Sequence, residues 1–286
     1  MERIKEALER ARAERVEGSG DPGRSKPGLA RSRGPESGRE GAGSVAHKRP
    51  VYTNTRSITL DPDYLRAHRV IVDGASGDAA ESYKLLRTQV LQRLRANNWN
   101  TLGITATRQG QGKTLTSINL AISLAMEVNQ TVLLVDLDLR RPSLARALTK
   151  EHLAGISDYL IGRLDVAEIL INPGFERLVI LPGNEPMMHS SEQLSSPRMV
   201  QLVEELKTRY PDRIVLFDLP PLLMGDDVIA FAPHLDALLL VLEEGKTTKD
   251  ELMRAYDLLE GHHIIGTVLN KSVYNYQSPG YGAYRL

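Results

Sequence analysis

Thr105-Ala-Thr-Arg-Gln-Gly-Gln-Gly-Lys-Thr114 is the stretch whose reading decides the fold. The run leading into it, Thr101-Leu-Gly-Ile-Thr-Ala106, is short, apolar and rich in β-branched residues, which is the composition of a strand. After it, Leu115, Ile118, Ala121, Ile122 and Ala125 recur at helical spacing, so a glycine-bearing loop joins a strand to a helix. In that setting Gly110 and Gly112 allow backbone N–H groups to converge on phosphate oxygens, Lys113 reaches the β- and γ-phosphates of a nucleotide, and the Thr114 hydroxyl holds Mg²⁺. The common pattern Gly-x-x-x-x-Gly-Lys-Ser/Thr has glycine where this chain has Thr107, so the loop is a variant. The plain alternative is a glycine turn ahead of a helix. On either reading Lys113 is expected to face solvent and to contribute little to the core.

The carboxylates that such a site requires stand at the ends of two further apolar runs. Thr131-Val-Leu-Leu-Val-Asp-Leu-Asp138 ends in two of them and Arg213-Ile-Val-Leu-Phe-Asp-Leu-Pro220 in one. Both runs are continuously apolar, as strands of a parallel sheet covered on both faces are. Ligands of open parallel sheets sit outside the carboxyl ends of the strands, which is where Asp136, Asp138 and Asp218 fall. If the strand persists to Asp138, Asp136 and Asp138 project to one face. Beside a bound nucleotide they would hold Mg²⁺ directly or through water. The alternative use of each is to cap a following helix.

The rest of the sequence alternates strand and helix. Strands are expected at Leu178–Leu181, Ala237–Leu242 and Ile264–Leu269, and helices at residues 79–94, 197–209 and 248–259. Asp61-Pro62 ahead of Tyr64-Leu65 reads as an N-cap and first turn, predicting a short helix over 62–68. The fold class is therefore α/β, a parallel-sheet sandwich. Residues 2–14 carry Ile4, Ala7, Leu8 and Ala11 as a thin apolar stripe, so 1–15 is a possible short helix. From 16 to 50 the sequence turns to Gly, Ser, Pro and Arg with almost no large apolar residue, the composition of a disordered linker. Residues 51–77 are assigned as an extension of the 78–272 domain, and 273–286 as a tyrosine-bearing tail.

Composition bounds the function. The chain has 286 residues, enough for one large domain. With no cysteine it has no disulfide, no thiolate metal site and no cysteine nucleophile. Lys+Arg and Asp+Glu are 36 each, so bulk charge steers the protein toward neither nucleic acid nor an anionic surface. No apolar run reaches the roughly 18 residues of a membrane span, and Met1–Arg15 is too charged for a signal peptide, so a cytoplasmic location is expected.

Gln111-Gly-Lys-Thr114, Leu133-Leu-Val-Asp-Leu-Asp-Leu-Arg-Arg-Pro142 and Val215-Leu-Phe-Asp-Leu-Pro-Pro221 together resemble the Walker A, A′ and B motifs of the bacterial tyrosine kinases (BY-kinases) of exopolysaccharide and capsule assembly. The A′ match is carried by Asp136, Asp138 and Arg140, and the B match by Asp218, Pro220 and Pro221. The charged start followed by a low-complexity stretch is similar to the cytoplasmic, exosortase-associated tyrosine autokinases. The resemblance implies a P-loop NTPase sandwich and a non-specific protein-tyrosine kinase using ATP and Mg²⁺. ATP would be held by Gly110, Gln111, Gly112, Lys113, Thr114, Leu115 and Asn270, the last where related ATPases contact the adenine. Thr114, Asp138 and Asp218 would form the metal shell, with Lys113, Asp136 and Asp138 at the chemistry and Asp136 as the proton acceptor. Arg140 and Arg141 would complete the site or hold a neighbouring subunit. Glu81, Lys84 and Arg87 match an oligomerisation helix of pattern Glu-x-x-Arg-x-x-Arg, with Lys84 for the first arginine.

The closing segment carries Tyr274, Tyr276, Tyr281 and Tyr284 among Gly, Ser, Pro and Asn, and the resemblance makes these the phosphoacceptors. It also implies a homo-oligomer, recruitment and activation at the membrane by a chain-length regulator (co-polymerase), and resetting by a cognate tyrosine phosphatase. Two other functions remain open. One is a switch ATPase of the partitioning or septum-positioning type, whose loop carries a signature lysine and a Gly pair where this chain has Arg108, Gln109 and Gly110. The other is a non-catalytic nucleotide-binding adaptor of the polysaccharide machinery.

Overall fold

A computed structural model of the chain describes residues 55–72, 77–208 and 212–272. The expected helix at 2–14, the linker at 16–50 and the tyrosines of 273–286 lie outside the described residues. In chain order, β1 (Arg56–Ser57) is followed by α1 (Pro62–Ala67), α2 (Asp78–Ala96), β2 (Thr101–Ala106), α3 (Lys113–Ala125) and β3 (Thr131–Asp136). Short helices α4 (Leu144–Leu148), α5 (Ile156–Leu160) and α6 (Val166–Ile169) lead to β4 (Ile171–Asn172) and β5 (Leu178–Leu181). Then come α7 (Ser190–Leu194), α8 (Pro197–Thr208), β6 (Arg213–Asp218), α9 (Asp227–Phe231), β7 (Ala237–Glu243), α10 (Lys249–Leu258) and β8 (Ile264–Asn270).

The strands form one eight-stranded sheet in the order β1-β4-β5-β3-β6-β2-β7-β8. Alternate residues of each central strand enter different cores, which is why these strands read as unbroken apolar runs. Val132, Leu134, Ile214 and Leu216 join the cluster containing Ile118 and Leu120 of α3. Leu133, Val135, Val215 and Phe217 join the opposite cluster, with Leu202 and Val203 of α8 and Phe231 of α9. Phe217 and Phe231 meet edge to face at 5.2 Å. At the start of the described chain, the Asp61 carboxylate accepts the Asp63 N–H and Pro62 opens α1, the cap read from sequence.

Two features depart from the expectation. The sheet is mixed, because β4 pairs with β5 antiparallel through Ile171 and Ile180. The connection from Asn172 to Leu178 is too short for the crossover that a parallel pair requires. In addition, β3 ends at Asp136. The Leu137 N–H donates to the Asp218 carbonyl at 2.9 Å, and the Asp138 N–H turns back to the Asp136 carboxylate at 3.2 Å. Asp138 therefore approaches the site from a turn.

Register brings the chemistry to one level. Asp218 is paired with Asp136 on one side and with Ile104 on the other. The glycine loop leaves β2 two residues beyond Ile104, at the same end of the sheet as the carboxylates.

Candidate nucleotide site

The loop takes its curvature from glycines at two positions, Gly110 with φ +82° and Gly112 with φ +92°. Gly112 is the N-cap of α3 and no side chain caps that helix, so its first-turn N–H groups are available to an anion. A Cβ at Gly112 would lie 2.1 Å from Asn270 Nδ2, so close approach as well as backbone conformation requires glycine there. Thr107, the departure from the common pattern, is fully buried and does not have a positive φ. Its hydroxyl donates to Gln111 Oε1 at 3.1 Å, the same oxygen accepts the Arg108 N–H at 2.9 Å, and Gln111 Nε2 donates to the Thr247 hydroxyl at 2.7 Å. Threonine thus replaces glycine with an internal strut, and the Gln111 side chain belongs to that strut.

Beneath the loop, Lys113 is only 8% exposed, against the expectation of a solvent-facing lysine. Its ammonium lies 2.9 Å from Asp138 Oδ2 and 3.5 Å from Asp218 Oδ2. Asp218 in turn accepts from the Thr114 hydroxyl at 2.6 Å and the Ser117 hydroxyl at 3.1 Å, and the Thr114 and Ser143 hydroxyls are 3.0 Å apart. The Asp136 carboxylate accepts the Ser143 and Leu144 N–H groups at 2.9 Å each, so it holds the entry to α4, the capping use of Asp left open by the sequence.

Electrostatics follow from this burial. Desolvation, then the charge of Asp218, pushes the Asp136 carboxyl up to about 7, against its amide bonds and Lys113. Burial also raises Asp218 above the ordinary carboxylate range, opposed by Lys113 and Thr114. Desolvation depresses Lys113, but Asp218, Asp138 and Asp136 outweigh it, so its pKa lies above the usual value and the ammonium is retained. One cation among three carboxylates leaves a site that gains from a further positive charge. Hard oxygen donors from Thr114, Asp218 and Asp138 suit Mg²⁺. Among the described residues no group of three His, Cys, Asp or Glu side chains could by itself hold a metal, so an ion here would draw remaining ligands from phosphate and water.

Other expected site residues are placed differently. The Leu115 side chain packs against the core beside α3, leaving only its backbone to the loop. Asn270 donates from Nδ2 to the Gln111 carbonyl at 2.8 Å, so its carboxamide is engaged with the loop. The Arg140 guanidinium is engaged by other partners, 2.9 Å from Asp227 and donating to the Ser190 hydroxyl at 2.8 Å. Arg141 donates to the Gln109 side chain at the rim. On α2, Glu81 and Lys84 form an exposed pair at 2.7 Å. Arg87 instead turns inward, 3.1 Å from Glu127 and donating to the Ser123 carbonyl at the end of α3. Sequence reasoning missed Ser117, Ser143 and Thr247. Ser143 directly follows the Asp136–Pro142 motif, and Ser117 lies one helical turn beyond Lys113, which was the available signal.

Residues 100–242, half of the chain, match the family model described as AAA domain. The chain belongs to the AAA domain family. The relatives it matches bear out the resemblance to bacterial tyrosine kinases. The chain is 28% identical over 205 residues to the tyrosine-protein kinase YwqD of Bacillus subtilis, covering 71% of this chain and 85% of YwqD. It is also 28% identical over 236 residues to the succinoglycan biosynthesis transport protein ExoP of Rhizobium meliloti, covering 80% of this chain but only 30% of ExoP. The kinase domain of the Escherichia coli tyrosine kinase ETK superposes with a TM-score of 0.61 at 26% identity, covering 79% of this chain and 93% of that domain. AAA-domain membership and these relatives agree with the mostly parallel sheet and its glycine loop.

Proposed function

We propose that this chain is an ATP- and Mg²⁺-dependent protein-tyrosine autokinase of exopolysaccharide assembly. The observation that carries this is the convergence of Lys113, Thr114, Asp138 and Asp218 directly beneath the glycine loop, in a chain whose relatives are named tyrosine kinases. Phosphoryl transfer asks a protein chiefly for positioning and charge stabilisation, and this cluster offers both. Bound Mg²⁺, held by Thr114 and Asp218 and reached by Asp138 through water, would supply charge neutralisation on the phosphate oxygens.

Within that reading Lys113 exchanges its carboxylate partners for the γ-phosphate, and the N–H groups of the loop and of the first turn of α3 receive the remaining phosphate oxygens. A tyrosine hydroxyl, with a pKa near 10, passes its proton to a carboxylate as its oxygen attacks phosphorus and the bond to ADP breaks. We assign that proton to Asp138 in place of Asp136. Asp136 exposes no surface and accepts three loop amides, whereas Asp138 keeps 6% of its surface exposed and has its carboxylate beside Lys113.

Tyr274, Tyr276, Tyr281 and Tyr284 are the proposed acceptors. Phosphorylated, each would add about −1.5 to −2 charges and be repelled by the carboxylate cluster, releasing the tail. No helix among the described residues is long and apolar enough to cross a membrane. We assign membrane recruitment and activation to a membrane-bound chain-length regulator, assembly to copies of the same chain, and resetting to a cognate tyrosine phosphatase. Incubation with γ-labelled ATP and Mg²⁺ tests the function. Label on the protein's own tyrosines supports it, free phosphate alone indicates a switch ATPase, and neither indicates an adaptor.

A further inference from the structure

We infer that Lys271, Asn270 and Glu243 form a positioning clasp that orients two peptide units of the phosphate loop from behind. The Lys271 ammonium donates to the Gly110 carbonyl at 2.6 Å, and Asn270 Nδ2 donates to the Gln111 carbonyl at 2.8 Å. In a planar trans peptide the carbonyl of one residue and the N–H of the next point in opposite directions. Drawing the Gly110 and Gln111 carbonyls toward the end of β8 therefore turns the N–H groups of Gln111 and Gly112 away from it. These are donors that a phosphate loop must aim at its ligand.

Each clasp residue is itself fixed. The Glu243 carboxylate is 8% exposed and sits between Lys271 at 3.1 Å and Lys246 at 2.6 Å, so the Lys271 side chain is held along one direction. Asn270 Oδ1 accepts the Lys271 N–H at 2.9 Å, which sets the carboxamide so that Nδ2 faces Gln111. Lys271 takes a left-handed φ of +58° to make this turn. The Glu243 N–H donates at 2.9 Å to the Thr247 hydroxyl, which also accepts from the Gln111 side chain, so Gln111 is tied by its carbonyl to the end of β8 and by its side chain to the turn after β7. The close approach of Asn270 explains why no side chain fits at Gly112.

The clasp rests on the nucleotide-site reading. It acts through the loop, and Lys271 and Glu243 touch no reacting atom in it. The test compares full-length protein with Lys271→Ala, Lys271→Arg and Glu243→Gln by equilibrium titration with Mg²⁺-ATP, by steady-state labelling, and by amide hydrogen exchange of residues 110–112 without nucleotide. For Lys271→Ala we expect Kd and KM for ATP to rise about tenfold with kcat changed less than about threefold, and loop exchange to accelerate about tenfold. Glu243→Gln should move the same way by a smaller factor, and Lys271→Arg should restore affinity to within about twofold. Unchanged affinity and exchange in Lys271→Ala, in a protein whose unsubstituted form binds ATP, would overturn the clasp alone. Failure of the unsubstituted protein to bind ATP would overturn the nucleotide site and the clasp with it.

Discussion

Lys113 shows how far single residues were legible. Its chemistry followed from Gly-Lys-Thr between a strand and a helix, but its burial did not, because only the folded register brings Asp138 and Asp218 within 2.9 and 3.5 Å. Lys113→Met should abolish tyrosine labelling, a fall of about 10²-fold or more. It should also lower the stability of the nucleotide-free protein by about 3 kcal/mol, since buried carboxylates lose their cation. Urea denaturation checks the second part, and a variant as stable as the parent would show that the ammonium is not needed beneath the loop. Asp136 marks the opposite limit. Its place at a strand end suited both a catalytic carboxylate and a cap, and nothing local in the sequence foretold that Ser143 and Leu144 would claim it.

At the scale of elements, the strands that carry the site were readable because they are buried on both faces and hence continuously apolar: β2, β3, β6 and β7. The two-residue strands β1 and β4 and the helices of four or five residues were not, since so few residues hold no period. Contacts across elements were equally hidden. Asp236, just ahead of β7, accepts the Asn100 and Thr101 N–H groups at 3.0 Å each and pairs with Lys207 of α8, stitching together the starts of β2 and β7. Burial raises its pKa, but Lys207 and these donors outweigh that and hold it below the ordinary carboxylate value. A depressed folded pKa contributes stability that is present above the unfolded value of about 3.9 and is lost as pH falls through the folded one. Asp236→Asn should therefore cost about 1–2 kcal/mol near pH 7, and its deficit should shrink below about pH 4. Urea midpoints of parent and variant at neutral and acid pH check this; a deficit independent of pH would remove the charge from the explanation.

For the whole molecule, the proposed assembly must use what α2 leaves exposed. Glu81 and Lys84 are exposed, and Leu85 beside them is 62% exposed, whereas Arg87 is committed to the end of α3. The oligomerisation pattern was visible in sequence, but the pattern could not say which of its charges the fold would claim. Lys84→Glu should lower the mass measured by light scattering while leaving Tm unchanged. Arg87→Ala should lower stability by about 1–2 kcal/mol by removing its hydrogen bond to Ser123 and its pairing with Glu127. Equal losses of mass and stability in both variants would contradict this division. In the proposed reaction the Lys113 cluster transfers the γ-phosphoryl group of ATP to tyrosines of this same chain. Its most direct test is phosphosite mapping by mass spectrometry after incubation with Mg²⁺-ATP, alone and with the membrane partner co-expressed. Phosphate is expected on tyrosines among Tyr274, Tyr276, Tyr281 and Tyr284, increased by the partner and absent from Lys113→Met; unmodified tyrosines in the presence of the partner, or equal modification of Lys113→Met purified from a kinase-free host, would overturn autophosphorylation by this site.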